Sequence, residues 1–261
     1  MLRVTSRDGT PIAYDRHGDG PAVVLVGGAL DDGSENAPPA RGLAERFTVY
    51  NYARRGRGES GDTPPYAVER EIEDIEALVA AAGGSAHLYG VSSGGALALR
   101  AAAAGVPVDR LAVYEIPLGW PTPADAQRFE ALLAEGRRGD ALELFMRTAG
   151  SSDEQIAGAR SSPMWPGMEA LAHTLAYDVA CMGGGHPPTD RFAEVTRPTL
   201  VTTGGTRADP YMPDLAPDFF ERAADTVAAS IPGAERATFE GQGHVADPNV
   251  VAPVLGRFFG A

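Results

Sequence analysis

Gly90-Val91-Ser92-Ser93-Gly94 is the stretch of this sequence that decides most about its fold. It is a G-x-S-x-G pentapeptide between a predicted strand at Ala86–Tyr89 and a predicted helix at Gly94–Ala104. In this setting a serine is forced onto a sharp, strained turn that exposes its hydroxyl at the top of a sheet. The pentapeptide alone is common, and a glycine-rich turn without a nucleophile is the alternative interpretation. The flanking strand and helix favour the nucleophile.

The positions of the glycines decide which serine the turn presents. Residues two before and two after the nucleophile must be small, because side chains there would collide across the turn. Gly90 and Gly94 satisfy this for Ser92, whereas the position two before Ser93 is occupied by Val91. The register therefore selects Ser92 as the candidate nucleophile.

Strands and helices alternate on both sides of this turn. Ala22–Val26 is a continuous apolar run, which is typical of a strand buried on both faces of a parallel sheet. Short connections favour such a sheet, with helices on both faces. The predicted strands are Arg3–Ser6, Ile12–Arg16, Ala22–Val26, Phe47–Tyr52, Ala86–Tyr89, Leu111–Tyr114, Thr199–Thr203 and Arg236–Phe239. The predicted helices are Pro39–Arg46, Tyr66–Ala82, Gly94–Ala104, Pro217–Ser230 and Pro248–Phe259.

The alternation stops between about Gly119 and Glu194, where the sequence shows no clear strand pattern. Helical stretches such as Asp125–Glu135 and Asp140–Thr148 are separated by links rich in Gly and Pro, and the segment is rich in Met and aromatic residues. We therefore expect a core domain of residues 1–118 and 196–261, and a helical insertion of residues 119–195.

Composition narrows the classes of function. The formal net charge of the 261 residues is -13, which disfavours binding to nucleic acid or to an anionic membrane surface. The chain has no lysine, so Schiff-base chemistry and a Walker A phosphate loop are excluded. Apolar runs are short and no signal-peptide pattern opens the sequence, so we expect a cytoplasmic protein. No feature of the sequence indicates an oligomeric state.

Cys181 is the only cysteine, which excludes an intrachain disulfide and a cysteine-based metal cluster. Beside Met182 it is expected to be a small packed side chain, and a catalytic thiol is the alternative.

The chain resembles the α/β-hydrolase superfamily over nearly its whole length. Val26-Gly27-Gly28-Ala29 is similar to the family's oxyanion loop, with Gly27 where many members have His. Tyr52-Ala53-Arg54-Arg55-Gly56-Arg57-Gly58-Glu59-Ser60 resembles the D-x-R-G-x-G-x-S loop, with Ala53 where Asp is usual. Gly241-Gln242-Gly243-His244 resembles the loop that delivers the catalytic histidine before the last helix.

The resemblance implies the α/β-hydrolase fold, a mostly parallel eight-stranded sheet flanked by helices, with residues 119–195 as a helical cap. It also implies that the backbone N–H groups of Ala29 and Ser93 hold a developing oxyanion, and that His244 is the base for Ser92. The glycine-rich loop after a strand favours His244 over the other histidines, which are His17, His87, His173 and His186.

The acidic member of the triad has two candidates. In the resembling family it commonly follows the strand predicted at Thr199–Thr203, often as Gly-x-x-Asp. In Gly204-Gly205-Thr206-Arg207-Ala208-Asp209 the aspartate lies one residue beyond that spacing. Glu115 is the other candidate, because some members place the acid directly after the strand predicted at Leu111–Tyr114. A solvated loop aspartate and a substrate-binding glutamate are the alternative roles.

Two charged groups near these motifs have more than one interpretation. Arg54, Arg55 and Arg57 could form an anion site, but the family pattern favours a structural turn whose guanidinium groups tie neighbouring loops together. Asp31 and Asp32, beside the oxyanion loop, face either the mouth of a pocket or solvent.

The resemblance implies a serine hydrolase that acts on a small to medium apolar ester, lactone or related acyl compound, through an acyl-enzyme and without a metal or organic cofactor. Two other classes stay open. The departures at Gly27, Ala53 and Val91, with the displaced acid, also suit a non-hydrolytic cyclase or isomerase, and a ligand-binding protein on an inactive scaffold is the third class. Ser92 in place of Asp argues against dehalogenase and epoxide-hydrolase chemistry.

Overall fold

The computed structural model describes residues 1–206, 209–210 and 212–260. Its strands are β1 (Leu2–Thr5), β2 (Pro11–His17), β3 (Ala22–Val26), β4 (Thr48–Tyr52), β5 (Ala86–Val91), β6 (Val108–Tyr114), β7 (Thr199–Gly204) and β8 (Glu235–Phe239). In this part of the chain eight strands form one sheet in the order β1-β2-β4-β3-β5-β6-β7-β8. The pairs β1–β2 and β2–β4 are antiparallel and the others are parallel, which confirms the predicted sheet.

The helices are α1 (Ala37–Leu43), α2 (Val68–Ala81), α3 (Ser93–Ala103), α4 (Pro123–Ala134), α5 (Arg138–Thr148), α6 (Asp153–Arg160), α7 (Trp165–Leu171), α8 (Leu175–Cys181), α9 (Thr189–Phe192), α10 (Phe219–Ser230) and α11 (Pro248–Phe259), with a 3₁₀ turn at Ala172–Thr174. The predicted helix at Pro39–Arg46 in fact begins at Ala37, since proline is well tolerated in a first helical turn. None of the described helices is long and apolar enough to cross a membrane.

The two faces of the sheet are covered by different helices. Val24 and Val26 of β3 belong to a buried cluster that includes residues of α2 and α3. Val23 and Leu25, which point to the opposite face because strand side chains alternate, belong to a cluster with α1 and α11. The apolar run of β3 is therefore buried on both sides, as its sequence predicts.

Helices α4 to α9 all lie between β6 and β7, and the described segment between these strands contains no strand. The predicted helices at Asp125–Glu135 and Asp140–Thr148 correspond to α4 and α5. The segment has an apolar cluster of its own, which includes Phe129, Leu142 and Trp165. Ala29 and Leu30 of the loop after β3 pack against that cluster, so the insertion lies over the carboxyl ends of the central strands.

Candidate active site

Ser92 lies at the turn between β5 and α3 in a backbone conformation that residues other than glycine rarely adopt, with φ of 55° and ψ of -128°. The close packing of the turn explains its glycines. A Cβ on Gly90 would lie 2.6 Å from the Gly94 carbonyl oxygen, and a Cβ on Gly94 would lie 2.3 Å from the Gly27 carbonyl oxygen. The turn is thus held between α3 and the loop after β3, and it keeps the Ser92 hydroxyl at the end of the sheet.

His244 lies in the loop between β8 and α11, and two other side chains contact its ring. Its Nδ1 lies 2.8 Å from Oε2 of Glu115, and its ring stacks on Phe220 with 4.8 Å between ring centroids. A carboxylate only accepts hydrogen bonds, so Nδ1 carries the hydrogen and Nε2 of the neutral ring is left to accept a proton.

Glu115 follows β6 directly and is 4% exposed. Its Oε1 accepts a hydrogen bond of 2.7 Å from the backbone N–H of Gly204 at the end of β7. Its own N–H donates to the carbonyl oxygen of Thr202 at 3.0 Å, although its φ is 46°. One carboxylate oxygen is therefore fixed to the neighbouring strand while the other faces the imidazole of His244.

Asp209 contacts the main chain of the same histidine. Its Oδ2 accepts a hydrogen bond of 2.8 Å from the backbone N–H of His244. A Cβ on Gly243 would lie 2.6 Å from that oxygen, so the glycine lets the loop approach the carboxylate. Of the two predicted acids, the structure thus places Glu115 at the ring and Asp209 at the backbone. Arg207 and Ala208, which precede Asp209 in the motif, lie outside the described residues.

Ser92 and His244 line one cavity of about 740 Å³, together with Ala29 of the loop after β3. Gly28 is close to the serine, since a Cβ there would lie 3.2 Å from the Ser92 Cβ. Ser93 is the first residue of α3, where backbone N–H groups have no partner within the helix. The candidate nucleophile and base therefore share one cavity with Ala29, and Ser93 follows the nucleophile at the start of α3.

The walls of this cavity combine apolar and acidic side chains. The helical insertion supplies Phe145, Met168 and Leu171, and the loop after β3 supplies Asp31, Asp32 and Glu35. Burial raises the pKa of Asp31, although two backbone N–H groups that donate hydrogen bonds to its Oδ1 act to lower it. The Glu35 side chain is exposed, yet partial desolvation of its carboxyl at the cavity wall, followed by the charge of Asp31, raises the pKa of that carboxyl.

The three arginines after β4 are buried and ion-paired, so the structural interpretation of this cluster is confirmed. Burial by itself would lower the pKa of Arg54, but the carboxylates of Glu71 and Asp178 raise it well above its usual value. The ion pairs are Arg54–Glu71, Arg54–Asp178, Arg55–Asp74, Arg55–Asp8 and Arg57–Asp178, with N–O distances of 2.7, 2.7, 2.7, 2.9 and 2.8 Å.

Two residues near the site were not identified from the sequence. Phe220 stacks on His244 from α10, and no local motif marks it. Asp178 is fully buried in α8 although it is ionised, because Arg57 and Arg54 outweigh the effect of burial and lower its pKa. A sequence signal for Asp178 exists, since it lies three residues after Leu175 and three before Cys181, on a buried helical face.

Two other reactive side chains, Cys181 and His87, do not line this cavity. Cys181 is buried, and burial, followed by the nearby charge of Glu71, raises the pKa of its thiol to about 12, so it stays protonated. His87 is buried near the start of β5, where its ring stacks on Phe259. Among the described residues, no group of three or more His, Cys, Asp or Glu side chains could hold a metal ion.

Comparison with known proteins agrees with this architecture. A model described as the alpha/beta hydrolase family matches residues 11–254. A solved alpha/beta hydrolase from Sphaerobacter thermophilus is 51% identical, with a TM-score of 0.87 over 99% of this chain and 100% of that one. The enol-lactonase from Burkholderia xenovorans LB400 has a TM-score of 0.71 over 100% of both chains, and at 19% identity it shows a shared fold.

Among the curated relatives, N-formylmaleamate deformylase of Pseudomonas putida is 34% identical over 164 residues. That match covers 58% of this chain and 60% of the deformylase, so the chain spans less than two thirds of the relative.

Proposed function

Because this chain belongs to the alpha/beta hydrolase family, we propose that it is a serine hydrolase with Ser92 as nucleophile, His244 as general base and Glu115 as the acid. One observation carries the proposal. The strained turn presents Ser92 to the same cavity as a histidine whose Nδ1 is bonded to a buried carboxylate. This geometry leaves Nε2 of His244 to take the serine proton.

The reaction is an acyl transfer in two halves. His244 takes the proton of Ser92 while Oγ forms a bond to the substrate carbonyl carbon, and the N–H groups of Ala29 and Ser93 stabilise the oxyanion. The C–O bond to the leaving group then breaks, and the leaving group takes the proton from His244. Water, deprotonated by His244, attacks the acyl-enzyme; the acid product leaves and Ser92 regains its proton.

The pocket supports a small to medium substrate with an apolar acyl part. Residues 119–195 act as a cap in this proposal, and the side chains of Phe145, Met168 and Leu171 contact the acyl chain. The related lactonase and deformylase, by their names, act on a lactone and on N-formylmaleamate, which supports an ester, a lactone or a related acyl compound here.

The first test is labelling with a fluorophosphonate, with the adduct located by tandem mass spectrometry. We expect labelling at Ser92 that is lost in Ser92→Ala and reduced by more than about 100-fold in rate in His244→Ala, since an unassisted serine hydroxyl is a poor nucleophile. His173→Ala is the matched control, because His173 is a half-buried histidine of the insertion outside the cavity lining.

Absence of labelling in the folded protein, with the probe able to enter the cavity, would contradict the proposal. It would favour the non-hydrolytic or binding alternatives on the same scaffold.

A further inference from the structure

We propose that Arg57, held by Asp178 of the helical insertion, orients and polarises the peptide group between Gly28 and Ala29, and so prepares one of the two oxyanion donors. Arg57 and Asp178 are positioning residues in this scheme. The inference rests on the proposed function, because it concerns a donor used in acyl transfer.

The argument begins with one planar peptide group. Nη1 of Arg57 donates a hydrogen bond to the carbonyl oxygen of Gly28. That carbonyl belongs to the same peptide unit as the N–H of Ala29, and this peptide bond is trans. In a trans peptide the C=O and N–H point in opposite directions within one plane, so a donor fixed on the oxygen also fixes the direction of the N–H. A cation on the oxygen further draws electrons from the N–H and makes it a stronger donor.

Asp178 holds the other arm of the same guanidinium. Its Oδ1 and Oδ2 accept hydrogen bonds from Nη2 of Arg57 at 2.8 and 2.9 Å. Both side chains are completely buried. The Nε of Arg57 has no hydrogen-bond partner among the described residues. The two terminal nitrogens of the Arg57 guanidinium therefore bind two partners, Asp178 of the insertion and the Gly28 carbonyl oxygen of the oxyanion loop.

The same carboxylate also reaches the second proposed donor. The hydroxyl of Ser93 donates a hydrogen bond of 2.7 Å to Oδ1 of Asp178. Arg54, which pairs with this oxygen at 2.7 Å, makes a longer contact of 3.3 Å with the Gly27 carbonyl oxygen. One buried carboxylate of α8 thus connects to the residues on both sides of the proposed oxyanion site. Docking of the insertion and preparation of the site are coupled through it.

Arg57→Lys and Asp178→Asn test the inference, with Arg55→Lys and Asp74→Asn as matched controls. Arg55 lies in the same turn and forms an equally buried ion pair with Asp74 of α2, with hydrogen bonds of 2.8 and 2.7 Å, and neither is bonded to the oxyanion loop. Lysine at position 57 keeps the buried charge but lacks the fork that holds two partners. Folding of each variant is checked by circular dichroism, and assays are run well below its Tm.

The measurements are kcat and KM on p-nitrophenyl butyrate, the rate of fluorophosphonate labelling, and the Ki of an alkyl boronic acid that mimics the tetrahedral state. Loss of one oxyanion donor costs about 10²–10³ in kcat, so we expect Arg57→Lys and Asp178→Asn to lower kcat by roughly 10- to 100-fold. KM should change by less than about 3-fold, because the donor acts mainly on the transition state. Labelling rate and boronate affinity should fall with kcat, while the controls stay within about 2-fold.

Two outcomes separate this inference from the proposed function. If the unsubstituted protein is not labelled at Ser92, the proposed function fails and this inference fails with it. If the unsubstituted protein is labelled but folded Arg57→Lys matches it in kcat and boronate affinity, only this inference is overturned. A loss equal to that of the Arg55→Lys control would also overturn it, because the effect would then be structural. Should Asp178→Asn not fold, Arg57→Lys alone decides.

Discussion

At the scale of single residues, the contact with the His244 ring, and not the order along the chain, distinguishes the two candidate acids of the triad. Glu115 follows β6 and Asp209 follows β7, and these strands are neighbours in the sheet. The ends of neighbouring parallel strands lie side by side, so both carboxylates reach His244 from adjacent loops. Glu115 contacts the ring and Asp209 the backbone N–H, and only the contact to the ring can hold the tautomer and stabilise an imidazolium.

Glu115→Gln should therefore lower kcat much more than Asp209→Asn. We expect a loss of about 10³–10⁴ for Glu115→Gln, because an amide cannot stabilise the imidazolium and favours the wrong tautomer. Asp209→Asn keeps an oxygen that accepts from the His244 N–H, so we expect a loss of less than about 10-fold. Kinetics on p-nitrophenyl butyrate with both folded variants measure this, and the reverse order of losses would make Asp209 the acid.

The sequence identifies some of these residues better than others. Ser92 follows from a steric rule within five residues, and the structure shows the predicted turn, although its catalytic role stays a prediction. The two acids could not be separated from sequence, because the distance from each loop to His244 depends on how β6, β7 and β8 pack. Asp178 was missed for a similar reason, since its partner Arg57 is far away in the chain.

At the scale of elements, the alternating strands and helices of the core were predicted well, and the short helices of the insertion were not. The strands and the helices α2, α3 and α11 lie within a few residues of their predicted positions. Helices α6 to α9 were not predicted individually, because four to eight residues carry too little periodicity. Such short helices are stabilised by packing more than by propensity. The partners of α6 and α7 lie in other helices of the insertion, whereas α8 and α9 also contribute Cys181 and Phe192 to the core cluster that contains residues of α2 and α3.

Helices α5 and α7 of the insertion form the apolar wall of the cavity, so a substitution in that wall should change the preference for acyl-chain length. Met168→Ala removes three heavy atoms from that wall and should lower kcat/KM for p-nitrophenyl acetate by roughly 3- to 10-fold, which corresponds to the loss of one to two methylene contacts with the substrate at about 0.8 kcal/mol each. The same variant should keep or improve activity on the octanoate ester, because the longer chain fills the space. A series from acetate to octanoate measures the shift.

Met146→Ala is the control for this series. Met146 is a partly buried residue of α5 that packs against the apolar cluster of the insertion and does not line the cavity. It should leave the chain-length preference as it is in the unsubstituted protein. An unchanged preference in Met168→Ala would show that Met168 does not contact the acyl chain.

At the scale of the whole molecule, the net charge of -13 and the acidic side chains of the cavity act in the same direction. Both repel an anionic substrate: the net charge acts around the whole surface, and the acidic side chains act within the cavity. The surface contribution is screened at physiological ionic strength, where the Debye length is about 8 Å, whereas the contribution of a partly desolvated carboxyl such as Glu35 is screened less. A comparison of salt dependence can therefore separate them.

We expect a neutral ester to exceed an otherwise matched ester carrying a carboxylate in kcat/KM, and the ratio to shrink as salt is raised from 10 to 150 mM. Glu35→Gln should raise kcat/KM for the anionic ester by about 3- to 10-fold, and barely change it for the neutral one, because a nearby like charge costs on the order of 1 kcal/mol. Glu130→Gln removes the same charge from the exposed face of α4, outside the cavity lining, and controls for net charge. Equal effects of the two variants would mean that the carboxyl of Glu35 does not select the substrate, and that only the overall field acts on it.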